Sequence, residues 1–108
     1  MNSIQYLDAV QAKLGLASDY ALSKALGISK QAISNYRSGR TAFDDRIALI
    51  VADKLGVEQG KVLIDIHIER SKSPEVRAAL TRFVENFSTS FKTLLSGRSP
   101  RHAWLVTR

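Results

Sequence analysis

The first seventy residues alternate between short runs of helical periodicity and single glycines. Ser3 precedes Ile4, Leu7, Val10 and Leu14, a row that one helix face accommodates, and Gly15 offers the left-handed residue that closes such a helix. Ser18, with Asp19 in the positive first turn, opens a second helix carrying Ala21, Leu22, Ala25 and Leu26 on one side, and Gly27 ends it. Ile28-Ser29 leaves room only for a turn, after which Ser29 caps a third helix through Tyr36 that ends at Gly39. Thr41 and Asp44 stand three apart, a capping-box arrangement with Asp in place of Glu, ahead of Ile47, Ile50, Val51 and Leu55 and the closing Gly56.

The pattern is ambiguous at residues 61–68. Val62, Leu63 and Ile66 fit a helix face, while Ile64-Asp65-Ile66-His67-Ile68 alternates like a strand and is rich in β-branched residues. The helical surroundings favour a fifth helix over about residues 60–71, with a dimer-forming strand as the alternative. Ser73-Pro74-Glu75 is a strong helix start: a cap, a proline at the first helical position and an acid in the first turn. The helix it opens extends to about Ser96, with Val76, Leu80, Phe83, Val84, Phe87, Phe91, Leu94 and Leu95 apolar; the 4, 3, 4 spacing through Val76, Leu80, Phe83 and Phe87 matches a heptad seam, which Leu94 rejoins. Residues 97–108 read as a basic, flexible tail. The expected organisation is therefore a globular unit over residues 1–71, a long amphipathic helix over 72–96 and the tail.

Charge sharpens this picture. The chain has 108 residues and a net charge of +6, which favours an anionic partner, nucleic acid first among them. Residues 1–58 are nearly balanced, yet the stretch from Tyr20 to Phe43 contains no acid and holds Lys24, Lys30, Arg37 and Arg40. There is no cysteine, so disulfides and thiolate chemistry are excluded, and His67 and His102 lie too far apart in sequence to favour a metal site. No apolar run has the length of a membrane span or a signal-peptide core. Asp44-Asp45 is better explained by capping than as a catalytic carboxylate pair. No Ser has an evident His base and no glycine-rich phosphate loop is present, so neither an enzyme, a cofactor, a small-molecule ligand nor a membrane association is expected.

The informative stretch is Asp19–Gly39, DYALSKALGISKQAISNYRSG. Two short helices joined at Gly27 need apolar residues to lock them together: Leu22, Leu26, Ile28, Ile33 and Tyr36. They also need a small residue where they cross closely, a place held by Ser23. The second helix is left with Lys30, Gln31, Ser34, Asn35 and Ser38 outward, all hydrogen-bonding side chains. This stretch, from Leu22 to Gly39, resembles the lambda-repressor-like, Cro/C1-type helix-turn-helix proteins. Ser23 stands where that family usually has Ala, a change tolerable if its hydroxyl bonds back to a helical carbonyl. The segment from Tyr6 to about Leu80 is also similar to short regulators of phages and prophages, those of filamentous phages included.

The resemblance implies an all-α fold: a five-helix lambda-repressor-like DNA-binding domain followed by the long C-terminal amphipathic helix. It implies that the helix Lys30–Arg37 enters the major groove, with Lys30, Gln31 and Asn35 reading bases and Ser29 and Ser34 as secondary contacts. Their chemistry agrees, since Gln and Asn can bond adenine N6 and N7 together and Lys can donate to guanine O6 and N7. Lys24, the Tyr36 hydroxyl, Arg37, Arg40 and Thr41 are assigned to phosphates, so Arg40→Ala is expected to weaken all sequences alike. The expected function is transcriptional repression in the cytoplasm of a bacterial host, by a homodimer that occludes a promoter at a palindromic operator, with the 76–95 stripe as the subunit interface. The alternative is a protein-interaction module, or an antitoxin-like autoregulator, that binds a protein partner through the C-terminal helix.

Overall fold

A computed structural model describes the backbone of residues 1–96 and the side chains of residues 1–86. It divides into two units, Met1–Lys72 and Ser73–Arg108. The first holds five helices: α1 (Ser3–Leu14), α2 (Asp19–Leu26), α3 (Lys30–Arg37), α4 (Asp45–Leu55) and α5 (Gln59–Arg70). The second holds α6 (Pro74–Ser96). Among the described residues there is no strand, which removes the strand alternative for residues 61–68. The alternation there is that of a helix with both Val62 and Ile66 fully buried, one turn apart, and Leu63 packed partly against the core.

Local chemistry sets the boundaries, and it corrects two expected caps. Asn2, not Ser3, begins α1: its side chain accepts from the Gln5 backbone N–H at 2.9 Å, and the Gln5 side chain accepts from the Asn2 N–H at 2.8 Å. Ser3 is drawn inside instead, because its hydroxyl has better partners in the core. Asp44, not Thr41, caps α4, accepting from the Ile47 N–H at 2.9 Å. Thr41 is too far back, since Phe43 lies between it and the helix and turns inward. Ser18, Ser29 and Ser73 each cap the helix that follows, and Gly15, Gly27 and Gly56 each close a helix in the left-handed conformation.

The core of the first unit draws on every helix. α4 is its axis, packing against α5, α1 and α2. Leu7 and Val10 of α1, Leu22 of α2, Ile33 of α3, Val51 of α4 and Val62 and Ile66 of α5 are essentially inaccessible. Phe43, from the loop between α3 and α4, is fully buried and meets the Tyr36 ring edge-to-face, with centroids 4.9 Å apart. Leu14, expected on the buried face of α1, is exposed, and Tyr6 lies inside.

Two polar pins fasten α1 to α5. The buried Ser3 donates from both its backbone N–H and its hydroxyl to Glu69 Oε1, at 2.8 Å each, and its Oγ accepts from the Phe43 N–H at 3.0 Å. One turn on, the Tyr6 hydroxyl and Lys61 Nζ both donate to Asp65 Oδ2, the latter at 2.7 Å. Burial alone would push the Asp65 carboxyl up. The hydrogen bonds from Lys61 and Tyr6 and the Lys61 charge outweigh it, and the group ends below its usual range. The Tyr6 phenol is raised, first by burial and then by that carboxylate. Asp45, at the start of α4, accepts from Arg70 at 2.9 Å and lies 3.2 Å from His67 Nε2, which ties α4 to the end of α5.

In the second unit, Val76 and Phe83 on α6 are 48% and 59% exposed, while Leu80 and Val84 are half-buried. The side chains of Phe87, Phe91, Leu94 and Leu95, and the whole of 97–108, lie outside the described residues. Among the described residues no helix is long and apolar enough to cross a membrane.

Candidate nucleic-acid interface

The α2–α3 corner is built by its turn. Gly27 has φ near +70°, and its N–H donates to the Lys24 carbonyl while the Ile28 N–H reaches back to Ser23. This is the paired C-terminal closure that only a residue tolerant of the left-handed region allows without strain. Ile28 then packs partly against the core, and Ser29 starts α3 by accepting from the Ala32 N–H at 3.0 Å. Ser23, where the helices approach, is buried, and its hydroxyl donates to the Tyr20 carbonyl at 2.7 Å, the bond that the substitution for alanine requires.

With Leu22, Leu26, Ile33 and Tyr36 buried, α3 turns its other side to solvent. Lys30, Gln31, Ser34 and Ser38 are exposed and Asn35 is half-buried. Neighbouring contacts extend this row at both ends. At one end Lys24 Nζ lies 5.2 Å and Lys30 Nζ 5.9 Å from the centre of the Tyr20 ring, which is itself 55% exposed. At the other end Gln31 Nε2 donates to Asn35 Oδ1 at 3.1 Å, and Arg40 Nη1 donates to the same oxygen at 2.9 Å. The backbone N–H groups of Arg40 and Thr41 both reach the Asn35 carbonyl, so the exposed Thr41 is held beside this cluster. Lys24, Tyr20 and Lys30 thus form one group and Gln31, Asn35 and Arg40 a second, adjoining it along the chain at Lys30-Gln31. Together they carry three cations, and among the described residues the hydrogen bonds along them go to the Asn35 carboxamide oxygen rather than to a carboxylate.

Two residues expected at phosphates have partners within the protein. Tyr36 is a core residue, 8% exposed, with its phenol raised by burial first and then by the Asp44 charge. The periodicity that marks it as a locking residue outweighs its polar tip. Arg37 is held by protein carboxylates: its guanidinium donates to Asp8, to Gln11 Oε1 at 2.9 Å and to Asp19 Oδ1 at 3.2 Å. It joins the last turn of α3 to α1 and to the start of α2. Nothing in the local sequence marks this clamp, since Asp8 lies 29 positions away. Tyr20 was not among the expected site residues. Its signal in the sequence was an aromatic one helical turn ahead of a lysine, on a helix whose apolar face was already complete.

Among the described residues no group of three or more His, Cys, Asp or Glu side chains could hold a metal ion. What the corner can do chemically is offer amide donors and acceptors, flanked by cations, on a rigid eight-residue rod.

Comparison with known proteins agrees with this geometry. A family model described as "Helix-turn-helix" matches residues 11–58, which spans α2, the turn, α3 and α4. The chain is also similar to "Uncharacterized protein Gp-c" of Pseudoalteromonas phage PM2, with 34% identity over 83 residues, covering 74% of this chain and 90% of that protein. No solved structure gives a significant match. The corner and its polar, cation-flanked α3 are accounted for together: the chain belongs to the lambda repressor/Cro-like helix-turn-helix family, a family of DNA-binding transcription regulators that are not typically enzymes.

Proposed function

We propose that the protein binds double-stranded DNA with sequence specificity, α3 lying in the major groove, and represses transcription by occluding a promoter. The observation that carries this is the row from Lys24 to Arg40: amide-bearing side chains outward on α3, cations at both ends, and apolar anchors beneath. In this reading Lys30, Gln31 and Asn35 face base edges, with Ser34 beside them, while Ser29 serves chiefly as the helix cap. Lys24, Arg40 and Thr41 face phosphates. Tyr20 joins them, its ring a platform that gathers two ammonium groups. Arg37 and Tyr36 are left to hold α3 in place.

One short recognition helix covers few base pairs, so a two-fold dimer presenting two such helices about 34 Å apart is the economical way to reach specificity. We assign α6 to that dimer: it spans 23 residues, and Val76 and Phe83, on its apolar stripe, are largely exposed. Leu80, Val84, Phe87, Phe91, Leu94 and Leu95 would complete the seam. In this reading the protein is a regulator of the phage or prophage kind, acting in the cytoplasm of a bacterial host; the similarity to a phage protein supports the phage kinship alone.

Selection of bound fragments from random DNA with the full chain tests the reading, together with a light-scattering mass. The expected result is a two-fold symmetric motif with half-sites about one helical turn apart and a dimeric mass. A folded protein that enriches no motif at moderate salt would overturn it, and a stable monomer of that kind would turn attention to α6 as a site for a protein partner.

A further inference from the structure

The hydrogen bonds around Asn35 are asymmetric in a way that bears on which base each amide can read. Arg40 has only donors, so the atom that Asn35 turns toward its guanidinium must be the carboxamide oxygen, and the flip of this amide is fixed by chemistry. Gln31 addresses the same Oδ1 at 3.1 Å, and must do so with its Nε2. Both lone pairs of Oδ1 are then occupied. Asn35 can offer a base only the N–H groups of Nδ2, which suit acceptors: guanine N7 and O6, thymine O4 or adenine N7. It cannot accept from adenine N6 while the pair of bonds stands. Gln31 keeps Oε1 to accept from adenine N6–H and one Nε2–H to donate to adenine N7.

Arg40 is itself positioned by this residue. Its backbone N–H donates to the Asn35 carbonyl at 2.9 Å while its side chain reaches the Asn35 carboxamide, so backbone and guanidinium grip one residue from two sides. An exposed arginine held only by phosphate attraction would need no such arrangement.

We infer that Arg40 is a specificity-determining positioning residue: through Asn35 it orients Gln31 as the adenine-reading side chain and restricts Asn35 to donating. The inference rests on the reading of α3 as the base-reading helix. It replaces the expectation that loss of Arg40 weakens every sequence equally, because a contact that orients a reader alters the ratio between sequences as well as the affinity for all of them.

The test uses the full chain and the motif it selects from random DNA. Affinities are measured for that site and for its single-base variants, with the wild type, Arg40→Met and Arg40→Gln. Both variants lose the charge and flatten the salt dependence by about 0.9 in slope. Gln at position 40 keeps an N–H donor for Asn35 Oδ1, two bonds nearer the backbone than Nη1, whereas Met keeps none. The expected result is that Arg40→Met lowers the preference for adenine at the position lost in Gln31→Ala by at least about fivefold, the low end for one bidentate contact, and that Arg40→Gln, which keeps a donor, retains more of it than Arg40→Met. Equal loss of affinity across all variants, with unchanged ratios in both substitutions, would overturn the inference while leaving specific binding intact. Enrichment of no motif by the wild type would overturn it along with the function on which it rests. Arg40 is exposed, and unchanged thermal melts of both variants show that the comparison is between folded proteins.

Discussion

Replacing Arg37 with methionine separates a structural arginine from a phosphate-binding one. The side chain is 25% exposed and its three polar partners, Asp8, Gln11 and Asp19, come from α1 and the first turn of α2. Methionine keeps most of the aliphatic packing and removes only the guanidinium. The two carboxylates are 64% and 48% exposed, so each ion pair is worth well under the value of a buried one, about 0–1 kcal/mol. Adding the hydrogen bond to Gln11, the loss comes to about 1–2 kcal/mol. For a unit of this size that lowers the melting temperature by roughly 5–15 °C. The drop is largest at low ionic strength and shrinks in salt, because the carboxylates are wet and screened. Thermal melts followed by circular dichroism, with and without Asp8→Asn, give the number, and the effect of Arg37→Met is smaller in the Asp8→Asn background if the pair is real. DNA affinity at a fixed folded fraction keeps its salt slope. An unchanged melt together with a slope reduced by about 0.9 would refute the clamp and return Arg37 to the phosphates.

Four further outcomes follow from the geometry. Asp65→Asn removes a carboxylate whose folded proton affinity is below its unfolded one; the stability it gives is complete above about pH 4 and is lost as pH falls through the depressed value, so the variant is less stable at neutral pH and its melting temperature is flatter in acid, read by melts between pH 7 and 2. Phe43→Ala empties the site against Tyr36 and costs about 3–5 kcal/mol, enough to shift a urea midpoint strongly or leave the domain unfolded. Gly27→Ala meets no atom within 4 Å, so its cost of about 1–2 kcal/mol is purely that of φ +70°, and Gly27→Asn recovers part of it in the same titration. Ser23→Ala changes stability by no more than about 0.5 kcal/mol, since the Tyr20 carbonyl keeps its place in the helix ladder when the hydroxyl is gone.

Most of the fold was legible because its punctuation is local. Gly15, Gly27 and Gly56, and the serines at 18, 29 and 73, act on residues within a turn of themselves, and the apolar spacing of α2 and α4 needs no tertiary information. The outward row of α3 was legible for the same reason: if Ile33 and Tyr36 face in, Gln31 and Ser34 cannot. What escaped is non-local. Ser3 reads as a cap until Glu69 and Phe43 claim its hydroxyl, and Arg37 reads as a free cation until Asp8 and Asp19 fold onto it. Charge pairing across distant segments has no periodicity, so composition could count the cations of the 20–43 window but not tell which of them the protein keeps for itself.

Under the proposed function, the division of α3 into anchors and readers sets how such a protein can be retargeted. Ile33, Tyr36 and Arg37 fasten the helix from its inner side, so Lys30 and Ser34 are open to exchange without disturbing the scaffold. Position 35 is different, because its carbonyl and carboxamide hold the chain beyond the helix through residue 40. In that reading, divergence toward new DNA sites, or a graft of foreign specificity in the laboratory, travels with positions 31, 35 and 40 as a linked set, while Lys30 and Ser34 drift one at a time.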